Sequence, residues 1–548
     1  MASPAMASSG GASTGGGVEG PTNSLVTPLL TDMYQISMAY AYWRSGRHND
    51  EATFELFFRK CPFKGEYVVF AGLDQVMRFI RSFKFTQDDV DYLRTKIPSL
   101  KDCDPGFFDY LLTLDCSQMR VDALPEGTIA FPRVTMIKVQ GPLIMGQLLE
   151  TTLLNLVNYP SLIATNATRM RLAAGDNKTL FEFGLRRAQG PDGAISASRY
   201  AYVGGFNGTS NVIAGKLTGI EVTGTHAHAF VQSYTGLEDI KDPILDGVDV
   251  VARALELRQT DPCFLETNTS ELAAFLGYAL CFPRSFLALV DTYDTLTSGV
   301  PNFILVSKVL HELGYNTLGI RLDSGDLAYL SQQARQLINR MADVLDCPPL
   351  RTAKIVASND IDEHVLLSLK EQKHQIDVFG IGTNLVTCKS QPALGCVYKL
   401  VEINGNARIK LSQDIEKVMI PKNKSIFRLF SAEGPAILDL VVTDDEEPPK
   451  AGVKVLCRHP FQENRRANVT PARVQRLLEC IWNGPEGFEA VIPDLEVARQ
   501  YAMDQVKTIR ADTIRPLNPT PYKVSVSQKL YGFLHDLWLQ EMPIQDLQ

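Results

Sequence analysis

Two rhythms of apolar and polar residues alternate along the chain. Between residues 25 and about 115 the pattern is mixed. Residues 31–43 carry apolar side chains at helical spacing, and 54–59 (FELFFR) reads as a strand. Thr86-Gln-Asp-Asp opens a helix with an N-cap and an acidic first turn. Short strand-type runs follow at 119–123, 127–131 and 134–139, and two apolar helices fill 141–174.

From residue 180 to 387 short apolar runs alternate with helical stretches such as 305–313 and 327–345, and each run ends in a polar cluster. Residues 181–185 lead into Arg186-Arg187, 220–223 into Gly224-Thr225-His226-Ala-His228, and 286–290 into Asp291-Thr-Tyr293-Asp294. Residues 318–320 lead into Arg321-Leu-Asp323-Ser-Gly-Asp326, 354–357 into Ser358-Asn359-Asp360, and 378–379 into Gly380-Ile-Gly382-Thr383. Successive β-α units predict a parallel sheet or barrel. In a closed barrel such clusters converge at the C-terminal ends of the strands. A single cluster would be a helix cap. Six clusters, holding arginines and a histidine that capping does not need, point to a site.

After residue 391 strand patterns return at 397–403 and 407–411, joined by the hairpin signal Asn404-Gly405. The acidic stretch 444–450 reads as a surface loop, and 529–539 as a final helix. The expected division is a Gly/Ser/Ala-rich tail over 1–24, then 25–175, 176–390 and 391–548.

Composition narrows the function classes. The chain has 548 residues, 45% hydrophobic and 21% charged, with a net charge of −8. This balance is globular and argues against nucleic-acid binding, which needs a broad basic face. The best apolar run, 143–157, is broken by Gln147, Glu150 and Asn155, short of the ~18 residues of a membrane span. Ten scattered cysteines without a CxxC pair suggest reduced thiols and a cytosolic setting. The first basic residue is Arg44, so residues 1–24 carry neither the charged start of a secretory signal nor the arginines of a transit peptide; they are expected to be disordered.

The clusters suggest anion chemistry. Glycines in Gly380-Ile-Gly382-Thr383 let backbone N–H groups approach a phosphate, although G-x-G also serves plain tight turns. Arg186, Arg187 and Arg321 suit carboxylate or phosphate recognition, or salt bridges with Asp323 or Asp192. Asp291 could orient a histidine and favour its cationic form. Tyr34 and Phe206 are aromatic candidates for stacking on a flat ring.

In order, Leu30-Thr-Asp-Met-Tyr34-Gln, Gly184-Leu-Arg-Arg-Ala-Gln-Gly-Pro-Asp-Gly193, Gly204-Gly-Phe-Asn-Gly-Thr-Ser-Asn-Val212, Gly224-Thr-His-Ala-His228, Asp291-Thr-Tyr293, Arg321-Leu-Asp-Ser-Gly-Asp326, Ser358-Asn359 and Gly380-Ile-Gly-Thr383 resemble the nicotinate phosphoribosyltransferase family. The resemblance runs from about residue 27 to near the C-terminus. It implies an α/β class: an irregular α/β barrel of type II phosphoribosyltransferases plus an α+β open-faced sandwich. It also implies a cytosolic homodimer with shared active sites.

The implied reaction is ligase-class. It joins nicotinate to 5-phosphoribosyl 1-diphosphate, coupled to ATP hydrolysis through a phosphohistidine, with Mg2+ or Mn2+. No nucleic acid or membrane partner is implied. By the same resemblance His228 is the phosphorylated histidine and Asp291 its orienting partner. Arg321 and Thr225 would contact nicotinate, and Tyr34, from the partner subunit, and Phe206 would stack on the ring. Gly380, Gly382 and Thr383 would bind the 5′-phosphate, with Arg187, Asp323 and Asn359 completing the pocket. The alternatives are a nicotinamide phosphoribosyltransferase and an inactive barrel with a signalling or scaffold role.

Overall fold

The computed structural model describes residues 20–411 and 417–541. The chain divides into two compact units. One runs to Asn166, takes Val203–Gly205 and resumes at Ser390; the other comprises Ala167–Tyr202 and Phe206–Lys389. Most of the expected tail lies outside the described residues. Its last five residues, 20–24, are described, and Thr22 donates to Gln75 Oε1 through its N at 2.9 Å and its Oγ1 at 3.0 Å.

The first unit is a split α+β structure. Its seven-stranded sheet runs Asn406–Ala407, Cys396–Ile403, Glu51–Phe58, Ile137–Pro142, Arg120–Ala123, Glu479–Asn483, Phe488–Glu489. Strand Glu51–Phe58 therefore pairs antiparallel with Cys396–Ile403, more than 300 residues later in the chain. Every residue of it except Glu51 is buried. The helix expected at Thr86 is Gln87–Lys96, with a reciprocal capping box between Thr86 and Asp89. The strand expected over 407–411 shrinks to Asn406–Ala407 after the turn, where Asn404 and Gly405 take φ of 48° and 74°.

A second, six-stranded sheet contains Lys424–Phe430 and Ala436–Thr443. Buried charges link it to the first. Lys424 Nζ lies 3.0 Å from Glu55, and Lys138 Nζ lies 3.1 Å from Asp444 and 3.6 Å from Asp122. Burial pulls the Lys424 ammonium below its ordinary range, with Glu55 opposing that shift.

The second unit holds the parallel sheet. Its order is Leu287–Leu289, Gly319–Leu322, Lys354–Ala357, Val378–Ile381, Thr179–Glu182, Gly208–Thr209, all parallel. A single parallel bridge from Thr209 to Val222 continues it, where a full strand over 220–223 was expected. At the other edge His226 does the work of a strand. Its Nε2 accepts the Leu289 N–H at 3.3 Å, and burial pulls the ring's pKa down to about 4, so the nitrogen stays a lone-pair acceptor. Helices such as Val300–Glu312 and Leu327–Val344 flank the strands, and Val300–Glu312 is buried along nearly its whole length.

Candidate functional site

The polar clusters after the parallel strands meet, as strand-end residues of a barrel should. A cleft within the second unit is lined by Phe183, Arg186, Arg187, Arg321, Asp323, Ser358, Asn359, Asp360, Gly380, Gly382 and Thr383. All but Phe183, which lies within its apolar run, come from the polar clusters at the ends of those runs.

One wall is built for an anion. Arg187, on the turn after Thr179–Glu182, donates to Thr383 Oγ1 at 2.9 Å. Gly380 lies one residue before the end of strand Val378–Ile381, beside the Phe183 ring, and a Cβ there would stand 2.3 Å from Phe183 Cδ2. Only glycine lets these two strand ends approach so closely. Asn359 and Asp360 take φ of 101° and 45°, a strained pair at the cleft rim.

The opposite wall is an arginine–carboxylate network. Arg321 donates through Nε to Ser358 Oγ at 2.9 Å, through Nη2 to Asp323 Oδ1 at 3.1 Å and through Nη1 to Thr225 Oγ1 at 3.5 Å. Its guanidinium carbon lies 5.8 Å from the centre of the Phe183 ring. Ser358 also donates to Asp323. Asp291 in turn accepts from the Asp323 backbone N–H at 3.2 Å and from Ser324 Oγ at 2.6 Å.

His228 begins the short helix His228–Gln232 and is partly exposed. Its Nε2 lies 3.8 Å from Asp291 Oδ1 and 3.7 Å from Asp323 Oδ2. Its Nδ1 is 3.1 Å from Thr292 Oγ1. The hydrogen bond that fixes the ring is thus shared with Thr292 Oγ1, and the two carboxylates face the other nitrogen as charges.

Below this loop lies Glu271, fully buried. It accepts from Ser298 Oγ at 2.5 Å and Asn302 Nδ2 at 3.0 Å. Burial, reinforced by Asp291 and Asp294, pushes its carboxyl up to about 7. Ser298 lies in the π-helical turn Thr295–Gly299, which follows the segment bearing Asp291 and Thr292. Gly299 fits there because a Cβ would stand 1.9 Å from the Val290 carbonyl oxygen.

Arg187, Thr225, His228, Asp291, Arg321, Asp323, Asn359, Gly380, Gly382 and Thr383 are therefore gathered in one unit, in the cleft or the network around it. Two expected residues are not. Phe206 has no exposed surface, so its ring cannot stack on a ligand. It leads into strand Gly208–Thr209, and its N–H bonds the Ala201 carbonyl at 3.1 Å. The aromatic ring at the cleft is Phe183, which sits where a strand end would put it but was hidden in the apolar run. Tyr34 is an exposed residue of the other unit, with its hydroxyl pKa raised by partial burial and by Glu150. Thr292 and Ser358 lie inside quoted motifs but were given no role there, and Glu271 lies outside every motif. Among the described residues no group of three or more His, Cys, Asp and Glu is arranged to hold a metal ion.

Three family descriptions match the chain. They are the nicotinate phosphoribosyltransferase N-terminal domain over residues 29–158, the nicotinate phosphoribosyltransferase family over 286–458, and its C-terminal domain over 423–534. The chain is 52% identical to nicotinate phosphoribosyltransferase 2 of Arabidopsis thaliana, across 97% of this chain and 98% of that protein. It is 50% identical to nicotinate phosphoribosyltransferase of Dictyostelium discoideum, across 96% and 91%. The crystal structure of human nicotinic acid phosphoribosyltransferase superposes with a TM-score of 0.83 at 42% identity, covering 92% of this chain and 99% of that one. With identity this high over nearly the whole length, the chain belongs to the nicotinate phosphoribosyltransferase family.

Proposed function

We propose that the protein transfers a phosphoribosyl group from 5-phosphoribosyl 1-diphosphate to nicotinate, giving nicotinate mononucleotide and diphosphate, with ATP hydrolysis coupled through His228. The observation that carries this reading is the cleft itself. An arginine–threonine–glycine wall suited to a phosphate faces an arginine suited to a carboxylate.

The 5′-phosphate would rest on Arg187, Gly380, Gly382 and Thr383, with Asn359 beside the ribose. Arg321 and Thr225 would meet the nicotinate carboxylate, and Phe183 would flank the ring. The pyridine nitrogen then attacks C1 of the ribose as the C1–O bond to diphosphate breaks. Positive charge grows on the sugar, so fixed neighbours with preset charge lower the barrier. Mg2+ or Mn2+ bound with the diphosphate would neutralise the leaving group.

The neutral base nicotinamide is the rival substrate. Arg321 already pairs with Asp323, yet Nη1 has only a long contact to Thr225, which leaves it able to bind an anion. Side-by-side turnover of the two bases decides: nicotinate is to be preferred by at least tenfold in kcat/KM. Equal turnover would reassign the substrate. His228→Ala should abolish coupled ATP hydrolysis, and its survival intact would move the phosphoryl acceptor elsewhere. A homodimer and a cytosolic setting belong to the same reading. The ten cysteines, none of them in a disulfide, fit a reducing compartment, and no helix among the described residues is long and apolar enough to cross a membrane.

A further inference from the structure

Thr292 occupies the middle of the Asp291-Thr-Tyr293 motif, and nothing in the reading above assigns it a role. Its hydroxyl is nonetheless the hydrogen-bonding partner of the site histidine, 3.1 Å from His228 Nδ1. On the far side of the ring, Nε2 faces Asp291 Oδ1 at 3.8 Å and Asp323 Oδ2 at 3.7 Å. Asp291 Oδ1 is buried and has no hydrogen-bond partner, so it presents negative charge to that edge of the ring.

We propose that Thr292 is a positioning residue that selects the tautomer and orientation of His228 for phosphoryl transfer. The proposal rests on His228 being the phosphoryl acceptor. A neutral imidazole carries one N–H and one lone pair, and its surroundings decide which nitrogen has which. Two carboxylates favour the proton on Nε2. The lone pair then lies on Nδ1, where the Thr292 hydroxyl donates to it and holds the ring. The nucleophilic nitrogen is the one that Thr292 touches.

The step balances as follows. As ATP enters, the Thr292 hydroxyl turns from the Nδ1 lone pair to a γ-phosphoryl oxygen, and the freed lone pair forms an N–P bond with the γ-phosphorus. The bond from that phosphorus to the β,γ-bridging oxygen breaks, and ADP leaves with the electron pair. The proton stays on Nε2, and the positive charge gained by the ring is met by Asp291 and Asp323. The Thr292 hydroxyl, freed from the lone pair, is left beside the new phosphoryl oxygens as a donor. Without the hydroxyl nothing holds Nδ1 toward its substrate, and the ring can turn its nitrogens.

The neighbouring geometry keeps Thr292 in place. Asp294, two residues on, caps the π-helical turn by accepting from Leu296 N at 3.1 Å and Thr297 N at 2.8 Å. Asp291, one residue before, accepts from Ser324 Oγ at 2.6 Å. Both flanks of Thr292 are thus pinned by side chains, which holds its backbone beside the ring while its side chain keeps the freedom to pass the hydroxyl from the ring nitrogen to the phosphoryl group.

The test uses the full-length protein and three variants: Thr292→Val, which keeps the shape without the hydroxyl, Thr292→Ser, which restores it, and His228→Ala. The readouts are transfer of label from γ-labelled ATP to the protein, and nicotinate mononucleotide formed with and without ATP. Thr292→Val should label roughly tenfold more slowly, the worth of about one hydrogen bond. Its loss in ATP-stimulated turnover should exceed its loss in ATP-independent turnover. Thr292→Ser should return labelling to within about threefold of the parent. Labelling by Thr292→Val at the parent rate, while His228→Ala is unlabelled, would overturn the role of Thr292. Failure of the serine to rescue would do the same, because a merely structural threonine has no need of its hydroxyl. Persistent labelling of His228→Ala would instead remove the phosphohistidine reading beneath it.

Discussion

Glu271 offers the sharpest physical prediction, because its carboxyl is buried with one oxygen unpaired. Oε1 has no hydrogen-bond partner, while Oε2 accepts from both Ser298 and Asn302. The carboxyl titrates at about 7 in the folded protein, against an ordinary 4.5. That displacement is worth about 3 kcal/mol. The sign follows from proton binding. Below pH 4.5 both folded and unfolded states are protonated and the full stability is present. Between 4.5 and 7 the unfolded state has lost its proton while the folded state keeps it, so stability falls as pH rises. Above 7 both states are ionised and the cost is fixed. Glu271→Gln removes this titration and leaves a neutral group that Ser298 and Asn302 can still meet. The variant carries its own constant cost, an amide N–H in place of Oε1, of about 1–3 kcal/mol. The gap between the two proteins should therefore move by about 2.5 kcal/mol in the variant's favour from pH 5 to pH 8.5, because part of the titration is already complete at pH 5. Thermal unfolding at intervals across that range reads it as a relative Tm shift of roughly 2–3 °C for a chain of this length. A gap that stays constant with pH would refute the reasoning.

Gly380→Ala should drive Phe183 from the cleft and raise the KM for 5-phosphoribosyl 1-diphosphate roughly 5- to 100-fold, from about 1–3 kcal/mol of overpacking; steady-state kinetics would show it. Arg321→Gln should cut kcat/KM for nicotinate by roughly 10–100-fold, the worth of a charge-assisted bond, while nicotinamide turnover falls less; paired assays of the two bases check the difference. In the other unit, Arg428 and Asp439 form two 2.8 Å contacts with no exposed surface on either side chain. Asp439→Ala strands the guanidinium and should destabilise the protein by about 3–5 kcal/mol in urea unfolding.

The barrel was legible because its strands end in chemistry. Each apolar run between residues 180 and 387 stops at a polar cluster, and the cleft is made of those stops. Runs whose pairing depends on distant partners were harder to read. Strands Lys424–Phe430 and Ala436–Thr443 carry lysine, arginine and aspartate in buried positions, which breaks the alternation a half-buried strand should show. Their charges are satisfied by Glu55 and Asp439, and spacing along the chain does not reveal those pairs. Phe206 illustrates the converse. An aromatic inside a glycine-rich motif suggests a ring-stacking wall, but here it is core, and Phe183 stands at the cleft. The role of His226 was not legible either, because a buried imidazole accepting a strand-edge N–H leaves no mark in the sequence.

One assay bears most directly on the central claim. Purified protein is given nicotinate and 5-phosphoribosyl 1-diphosphate, with and without ATP, and nicotinate mononucleotide and diphosphate are both measured. The account predicts the two products in equal amounts, formed faster when ATP is present and hydrolysed. Absence of diphosphate release under both conditions would contradict it and leave the cleft a binding site without this chemistry.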